Sequence, residues 1–346
     1  MSQARQYSVQ FTGHGEEYFL VWIVNIALTL LTFGVYSAWA KVRSERWFHS
    51  HTRVDGEPFS YHASPIEILK GRVIALAVFA LYYAAAAFSP GAAGAVALLV
   101  VAAIPWVVVT HLRFVLRNSG YRGLRFDFTG SVGEAARIYL ALPLLILPTL
   151  GLVLPYIAYR HVRFIAGNTM YGDTRVHHDG TLKPFWGVYL LGFVLVLIPL
   201  ALLAYAVSLI RLADGTGDAT AAAVANVMLA TGIVATFVLF PLVISMIQAH
   251  TANRLFNTSA LGPVTFHAAQ RGRDLMWIHG SNALLISLTL GLATPWARVR
   301  LARYRAEHLA IAGPDALDTF VAGPRRPGTA AGSELVELVE LNLALT

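Results

Sequence analysis

The stretch FTGHGEEYFLVWIVNIALTLLTFGVYSAWAKVRSERW, residues 11–47, recurs in related form at 128–164 and at 268–304. The three segments align without a gap, so adding 117 or 257 to a position in the first gives its counterpart. Under this rule Gly34 corresponds to Gly151 and Gly291. Self-similarity of this kind predicts an architecture built from internal repeats.

The composition is that of an integral membrane protein. Of the 346 residues, 56% are hydrophobic and only 13% are charged, which is more apolar surface than a soluble domain of this size can bury. A transmembrane helix needs about 20 apolar residues. Charge-free runs of about this length occupy 73–89, 92–110, 184–210 and 219–247. They predict two transmembrane hairpins, 73–110 and 184–247, which alternate with the three segments.

The charge distribution favours a membrane surface as partner. The chain carries 26 Lys and Arg against 19 Asp and Glu, and the basic residues cluster between apolar runs. This pattern is typical of cytoplasmic loops beside an anionic inner leaflet, and we expect no nucleic acid as partner. The basic loop 41–72 is therefore predicted to be cytoplasmic, with the turns at 90–91 and 211–218 on the other side. The absence of cysteine excludes disulfides, thiolate metal sites and Cys nucleophiles.

The three segments admit two topologies. Both flanks of the second and third segments are basic, which favours a path whose two ends lie on one side. From Glu17 to Thr32 there are 16 residues, roughly 24 Å of helix, against a hydrocarbon core of about 30 Å. We therefore predict a re-entrant helix that breaks at Gly34 and returns to the cytoplasmic interface. The alternative is a kinked span in each segment, which gives seven crossings in total.

The predicted fold class is an all-α polytopic membrane protein with small cytoplasmic β elements. Alternating polar and apolar residues predict short strands at 9–13, 52–61, 125–130 and 174–180. We expect one membrane domain over residues 1–310. Residues 311–346, rich in Gly, Ala and Pro at first, are predicted to form a linker and a C-terminal tail. The N-terminus lacks the apolar core of a signal peptide, so we expect no cleavage there.

The motifs of the first segment resemble a known family. The residues Phe11-Thr-Gly13, Glu17-Tyr-Phe19, Asn25, Leu31-Thr-Phe-Gly34 and Trp39-Ala-Lys-Val-Arg43 are similar to those of the YjgN family of bacterial inner-membrane proteins. The resemblance covers roughly residues 11–310. It implies a multi-pass inner-membrane protein of unknown function, and it supplies no catalytic residues. The second segment departs from the pattern, with Tyr156 in place of the Trp and Leu142 in place of the Asn.

Arginine and aromatic residues recur together after each glycine. On a helix their spacings of four, three and one residue place them on one face. Two guanidinium groups framed by aromatic rings can bind a lipid phosphate or an anionic metabolite. The alternative is a set of interfacial anchors, because Trp, Tyr and Arg collect at the headgroup level of membranes. The candidates are Trp39, Arg43, Arg46, Trp47, Tyr156, Arg160, Arg163, Phe164, Trp296, Arg300, Arg303 and Tyr304.

Acidic and amide residues also recur in the segments. Glu17, Glu134 and Asp274 stand at the predicted helix starts, where a carboxylate complements the helix dipole or pairs with an arginine. Asn25 and Asn282 share one aligned column within the apolar part, where amides hydrogen-bond helices together or bind a solute. The four charge-free runs argue against a proton-coupled pump, although a passive pore remains open.

Two functions compete. The first is a non-enzymatic membrane protein whose repeats surround a path or groove for a small molecule or lipid. The second is a scaffold or assembly subunit whose cytoplasmic face binds anionic headgroups or a protein partner. No catalytic constellation, nucleotide-binding loop or metal-ligand spacing is present, so we expect neither an enzyme nor a cofactor or metal site. A wet cavity that reaches toward the membrane midplane between the first and third segments, lined by Asn25 and Asn282, favours transport, whereas a solid core with an exposed apolar cytoplasmic patch favours a scaffold.

Overall fold

The computed structural model describes residues 5–313, most of which are helical. The helices in this range are α1 (Gly15–Leu31), α2 (Ser37–His51), α3 (Pro65–Phe88), α4 (Pro90–Asn118), α5 (Val132–Ala136), α6 (Leu154–Asn168), α7 (Lys183–Thr216), α8 (Ala219–Asn257), α9 (Gly272–Leu288) and α10 (Thr294–Glu307). The strands are β1 (Arg5–Phe11), β2 (Thr52–Val54), β3 (Glu57–Tyr61), β4 (Ser119–Tyr121), β5 (Leu124–Phe128), β6 (Thr169–Tyr171), β7 (Thr174–His178), β8 (Ser259–Leu261), β9 (Val264–Ala268) and β10 (Leu309–Gly313).

The strands between Arg5 and Gly313 form one closed antiparallel barrel of ten strands. Tight turns join β2 to β3, β4 to β5, β6 to β7 and β8 to β9. The last strand, β10, pairs with the first, β1, so that Gly313 lies opposite Arg5. The barrel therefore closes only when the first and last strands meet, and closure removes every free sheet edge.

Helix pairs occupy one rim of the barrel. Each pair follows one strand and leads directly into that strand's neighbour, as α1 and α2 do between β1 and β2. At the base of each pair, the backbone N–H that precedes it donates to the carbonyl that ends it, over 2.8–2.9 Å. These bonds run from Thr12 to His51, His62 to Asn118, Thr129 to Asn168, Asp179 to Thr258 and Ala269 to His308. Both ends of every described helix pair consequently lie on the same rim.

The barrel interior is a packed apolar core. Val9, Val54 and Leu261 are buried in it together with Tyr121 and Tyr171. The Tyr121 hydroxyl donates to the carbonyl of Val54 and the Tyr171 hydroxyl to the carbonyl of Tyr121, both over 2.8 Å, so neither buried hydroxyl lacks a partner. On the helical side the core continues into Tyr18, Phe48 and Val299. Barrel and helix bases thus share one hydrophobic core.

The prediction of an all-α fold with small β elements is therefore wrong in its β part. The predicted strands at 52–61, 125–130 and 174–180 are present as β2 with β3, β5 and β7. Three-residue strands such as β4, β6 and β8 are too short to show alternation, and the pairing of β1 with β10 is not encoded locally. The predicted domain boundary at residue 310 falls inside β10, and only residues 311–313 of the predicted tail belong to the described part of the chain, where they complete that strand.

Four helices in residues 5–313 are long and apolar enough to cross a membrane, namely α3, α4, α7 and α8. These helices contain the four charge-free runs of the sequence. Three runs lie entirely within their helices, and the run 73–89 extends one residue beyond the end of α3. The four long apolar helices expected from the sequence are thereby confirmed, while their crossing of a membrane stays a prediction. The helices of the three aligned segments are shorter, with α1 at 17 residues and α2 at 15.

A shared turn breaks the helix in each aligned segment. Phe33, Leu150 and Leu290 adopt left-handed torsions with φ of 49–50°, and each is followed by a glycine at φ of 84–95°. Left-handed backbone is costly for a residue with a side chain and free for glycine. The three left-handed side chains are 99%, 86% and 95% exposed, at the tips of their helix pairs. The tips therefore present single large apolar residues on a strained turn.

The second segment departs from a regular helix before its break. After α5 the chain forms a π-helical turn (Arg137–Ala141) and a 3₁₀ turn (Pro143–Leu145). Pro143 and Pro148 lack the N–H that an α-helix uses, which explains why the continuous embedded helix predicted there does not form.

Candidate functional site

Two of the candidate arginines donate to backbone carbonyls. Arg46 Nη2 donates to the carbonyl of Ala63 over 3.3 Å, and Arg303 Nη2 donates to that of Gly13 over 3.0 Å. In α4, Arg113 Nη2 makes the corresponding bond to Gly130 over 2.8 Å. Each bond runs from the second helix of one pair to the start of the next pair. These arginines therefore stabilise the ring of helix pairs on the barrel rim.

Asn253 performs the same role in α8. Its Nδ2 donates to the carbonyl of Gln270 over 2.8 Å, and its Oδ1 accepts from the Gln270 N–H over 2.9 Å. Asn253 and Gln270 are 17 residues apart, the separation also seen between Arg46 and Ala63 and between Arg113 and Gly130. Within residues 5–313, four of the five junctions between neighbouring helix pairs are thus linked by such bonds, here called the rim bonds.

Replacing Asn253 with Leu is expected to destabilise the protein by about 1 kcal/mol, because two partly exposed hydrogen bonds are lost at once. The measurement is the midpoint of heat-induced loss of the monodisperse species in detergent. Asn253→Asp, which keeps the acceptor and loses only the donor, is the control and is expected to lie between Leu and wild type. Equal midpoints for Leu and wild type contradict a stabilising role of this rim bond.

The remaining candidate arginines have separate partners. Arg160 donates to the Tyr156 hydroxyl over 3.0 Å, with its guanidinium carbon 5.8 Å from that ring centroid. Arg163 donates to the Tyr159 hydroxyl over 3.2 Å. Arg43 is exposed and makes no hydrogen bond or ion pair within residues 5–313. In each segment the two guanidinium groups therefore face different surroundings rather than one common ligand.

The candidate aromatic residues pack between elements. Trp47 lies 4.7 Å from Tyr18, measured between ring centroids, and Trp296 of α10 lies 5.2 Å from Phe19 of α1. The Tyr304 hydroxyl accepts from the backbone N–H of Arg271 over 2.8 Å, and burial raises the pKa of that hydroxyl. Of the others, Trp39 stacks on Tyr36 in the first segment and Phe164 packs against Phe128 in the second.

The recurring acids lie at the helix starts, as predicted, but none is paired with an arginine of a neighbouring segment. Glu17 lies 3.9 Å from His14 and 3.8 Å from His51. Glu134 Oε2 accepts from Asn168 over 3.3 Å. Asp274 contacts the adjacent residue, Arg273, over 3.3 Å. These contacts are local to each helix pair, which is the pattern of a structural role.

The two aligned amides differ in their surroundings. Asn282 Nδ2 donates to the carbonyl of Ala297 over 3.2 Å, and its Oδ1 lies 3.4 Å from Arg300 Nη1. Asn25 Nδ2 donates to the corresponding carbonyl, that of Ala40, over 3.3 Å. Its Oδ1 is buried and has no hydrogen-bond partner among residues 5–313. An unpaired buried acceptor costs about 1–3 kcal/mol.

Asn25 lines a cavity of about 520 Å³, within the usual size range of ligand sites of about 300–1,000 Å³. The cavity lies between the first segment, α3 and α10, and its charged lining residues are Lys41, Arg72, Arg298 and Glu45. The remaining lining residues are Trp22, Asn25, Ile26, Thr29, Leu30, Ala40 and Ser44. Three cationic groups and one carboxylate thus stand beside an apolar wall.

Contacts with residues on the wall of the cavity hold Arg298 in place. Its Nη1 donates to the Tyr18 hydroxyl over 2.7 Å, and its Nη2 lies 3.9 Å from Glu45 Oε1. Its guanidinium carbon lies 4.9 Å from the centroid of the Phe48 ring, a cation–π contact. Arg72 of α3 donates to the hydroxyl of Ser37 at the start of α2. The cationic groups are therefore positioned by separate helices.

A cavity lined by both Asn25 and Asn282 would have favoured transport; the cavity described above is lined by Asn25 and not by Asn282. Lys41, Arg72, Arg298 and Glu45 were missed. A usable signal existed for two of them, because Lys41 and Arg298 share one aligned column of the segments. Arg72 belongs to the long apolar helix α3, and its approach to the first segment has no sequence signature.

The family model described as "Bacterial protein of unknown function (DUF898)" matches residues 6–338, nearly the whole chain. The chain belongs to this family. Among curated relatives, it is 30% identical over 152 residues to inner membrane protein YjgN of Salmonella typhimurium, covering 43% of this chain and 38% of that protein. It is 28% identical over 153 residues to inner membrane protein YjgN of Escherichia coli K12, covering 42% and 37%.

These matches confirm the resemblance to the YjgN family. The matched region spans less than two fifths of the length of each of these relatives. No solved structure matches the chain.

Proposed function

We propose that the chain is an inner-membrane protein that crosses the membrane four times and carries its barrel on the cytoplasmic side. The long helix pairs α3–α4 and α7–α8 make the crossings, and the three aligned segments re-enter. Two observations support this topology. Both ends of every described helix pair meet on one barrel rim, and the residues around that rim are rich in Arg. The relatives named above are inner membrane proteins by name.

The depth of the re-entrant segments follows from one contact. Arg72 is the last charged residue before the apolar run 73–89, so it marks the start of the hydrocarbon region on α3. Its guanidinium donates to Ser37, which directly follows the break of the first segment. The break therefore lies near the headgroup level, within the length of an arginine side chain. At this depth the exposed Phe33 in the break enters the acyl chains, while α2, which begins at Ser37, stays at the interface.

For function, we propose a non-catalytic groove that binds an amphiphile with an anionic headgroup. The observation that carries this proposal is the cavity lining, in which Lys41, Arg72 and Arg298 outnumber Glu45 beside the apolar side chains of Trp22 and Leu30. A net positive site attracts a phosphate, and a neighbouring apolar wall accommodates the start of an acyl chain. The position near the headgroup level, next to Arg72, brings a lipid phosphate within reach.

Replacing both Lys41 and Arg298 with Gln is expected to lower retention of phosphatidylglycerol by roughly tenfold or more, because each cation near an anionic membrane surface contributes about 1 kcal/mol. The measurement is native mass spectrometry of protein delipidated and then equilibrated with phosphatidylglycerol in mixed micelles. Arg53→Gln combined with Arg125→Gln, both exposed on the barrel strands β2 and β5, is the charge-matched control. If the double variant retains as much lipid as this control, the groove for an anionic headgroup is ruled out.

A further inference from the structure

We infer that the groove selects an anionic lipid whose headgroup carries a hydroxyl donor, and that Asn25 reads this hydroxyl. The inference rests on the proposed groove for an anionic headgroup and adds the chemistry of that headgroup. The cations in the lining require a negative charge, whereas the unpaired Asn25 Oδ1 requires a hydrogen-bond donor. A phosphoglycerol headgroup supplies both, with its phosphate for the cations and its free hydroxyls for the amide oxygen.

The orientation of the Asn25 amide is fixed by its neighbours. Nδ2 faces the carbonyl of Ala40 over 3.3 Å, and a carbonyl only accepts hydrogen bonds, so the amide nitrogen must occupy that position. A flip of the amide places two acceptors against each other and is unfavourable. Nδ2 also lies 3.4 Å from the Ser44 hydroxyl, another lining residue. The atom of the Asn25 side chain that lacks a hydrogen-bond partner is therefore its oxygen.

In the third segment, an arginine of the same segment lies beside the oxygen of the aligned amide, Asn282. There Arg300 Nη1 donates to the Ser281 hydroxyl over 2.7 Å and approaches Asn282 Oδ1 at 3.4 Å. The aligned residues of the first segment are Arg43 and Val24. Valine has no hydroxyl to hold the arginine, and Arg43 is exposed without a partner in the described residues. The acceptor oxygen of Asn25 in the first segment is therefore unpaired, whereas the corresponding oxygen of Asn282 in the third segment has Arg300 beside it.

The test uses two lipids of equal charge that differ in the hydroxyls. Phosphatidylglycerol and phosphatidylmethanol carry the same phosphodiester, but only the former has free headgroup hydroxyls. Delipidated full-length protein is equilibrated with an equimolar mixture of the two, made with acyl chains of distinguishable mass, and the retained lipid is counted by native mass spectrometry. The wild-type protein is expected to retain phosphatidylglycerol about fivefold over phosphatidylmethanol, the effect of one hydrogen bond.

Two variants address Asn25 by opposite routes. Asn25→Leu removes the acceptor and is expected to bring the ratio to about one. Val24→Ser keeps Asn25 but supplies the hydroxyl that Ser281 supplies in the third segment, so that Arg43 can occupy Oδ1. It is expected to lower the ratio in the same direction, and it does so without removing a buried amide. The matched control is Asn282→Leu, whose side chain does not line the cavity and whose ratio is expected to stay at the wild-type value.

The outcomes separate the two proposals. If neither anionic lipid is retained, the proposal of a groove for an anionic headgroup is wrong, and the inference about the headgroup hydroxyl is wrong with it. If both are retained equally by the wild-type protein, the groove stands and the role of Asn25 is overturned. A fivefold preference that survives in both Asn25→Leu and Val24→Ser also overturns it, because another group then reads the hydroxyl. Equal retention of zwitterionic phosphatidylethanolamine contradicts the required negative charge.

Discussion

Cysteines introduced at Glu57, His177 and Glu307 are expected to react with a membrane-impermeant maleimide only from the cytoplasmic side, and a cysteine at Asp214 only from the opposite side. Glu57 and His177 lie on barrel strands, and Glu307 ends the helix that leads into the last strand. One closed barrel cannot place its strands on two faces of a membrane. Asp214 lies near the far end of α7, where the long helix pair turns.

The native sequence contains no cysteine, so each variant carries a single thiol and needs no background substitution. Labelling of intact spheroplasts is compared with labelling of inverted vesicles, and detergent-solubilised protein shows that every thiol is reactive. A chain with seven crossings gives a different pattern, with His177 opposite Glu57 and with Asp214 on the same side as Glu57. That pattern would falsify the re-entrant topology and the barrel together.

Gly272→Ala is expected to destabilise the protein by about 1–3 kcal/mol, the usual cost of overpacking. Gly272 begins α9 and lies against α8, where an added Cβ comes within 2.6 Å of Met246 Cα and 3.0 Å of Met246 N. Because the opposing atoms belong to the backbone, rotation of a side chain cannot relieve the contact. The two helices must separate, which also disturbs the neighbouring rim bond from Asn253 to Gln270.

The matched control is Gly280→Ala in the same helix. No atom lies within 4 Å of a Cβ added there, and alanine favours a helix by about 0.5–1 kcal/mol over glycine. Gly280→Ala is therefore expected to leave the unfolding midpoint unchanged or slightly raised, whereas Gly272→Ala lowers it. The midpoint is measured in detergent by heat-induced loss of the monodisperse species. Equal midpoints for the two variants exclude close helix contact at Gly272.

Much of the membrane architecture was predictable from the sequence, because the signals are local. A run such as 184–210 without one charged residue specifies a long apolar helix by composition alone, and α7 is the result. The break at Gly34 was also visible, since glycine tolerates the left-handed torsion found there. The barrel was not predictable. It depends on the pairing of β1 with β10, which are separated by nearly the whole described chain, and on strands as short as Ser119–Tyr121.

The candidate site was predicted only in part, for a similar reason. Asn25 stands out as an amide in an apolar helix, which marked it as a candidate, but only the fold shows that it lines a cavity. The recurring Arg46 and Arg303 stood out equally, but the structure gives them backbone partners that no spacing rule reveals. Arg72 and Glu45 reach the cavity through tertiary packing between helix pairs. Residue type identified polar side chains in apolar surroundings, and only the fold showed which of them have hydrogen-bond partners within the protein.

The meeting of Arg5 and Gly313 in the barrel has a consequence for the evolution and engineering of the chain. Because the strand order is cyclic and the first and last strands pair like any other two, the point at which the polypeptide starts is arbitrary with respect to the fold. The hairpin turns at Gly56, Gly123, Gly172 and Gly262 are topologically equivalent to the gap between β10 and β1. A circularly permuted gene, opened at any of these turns, specifies the same set of strand pairs.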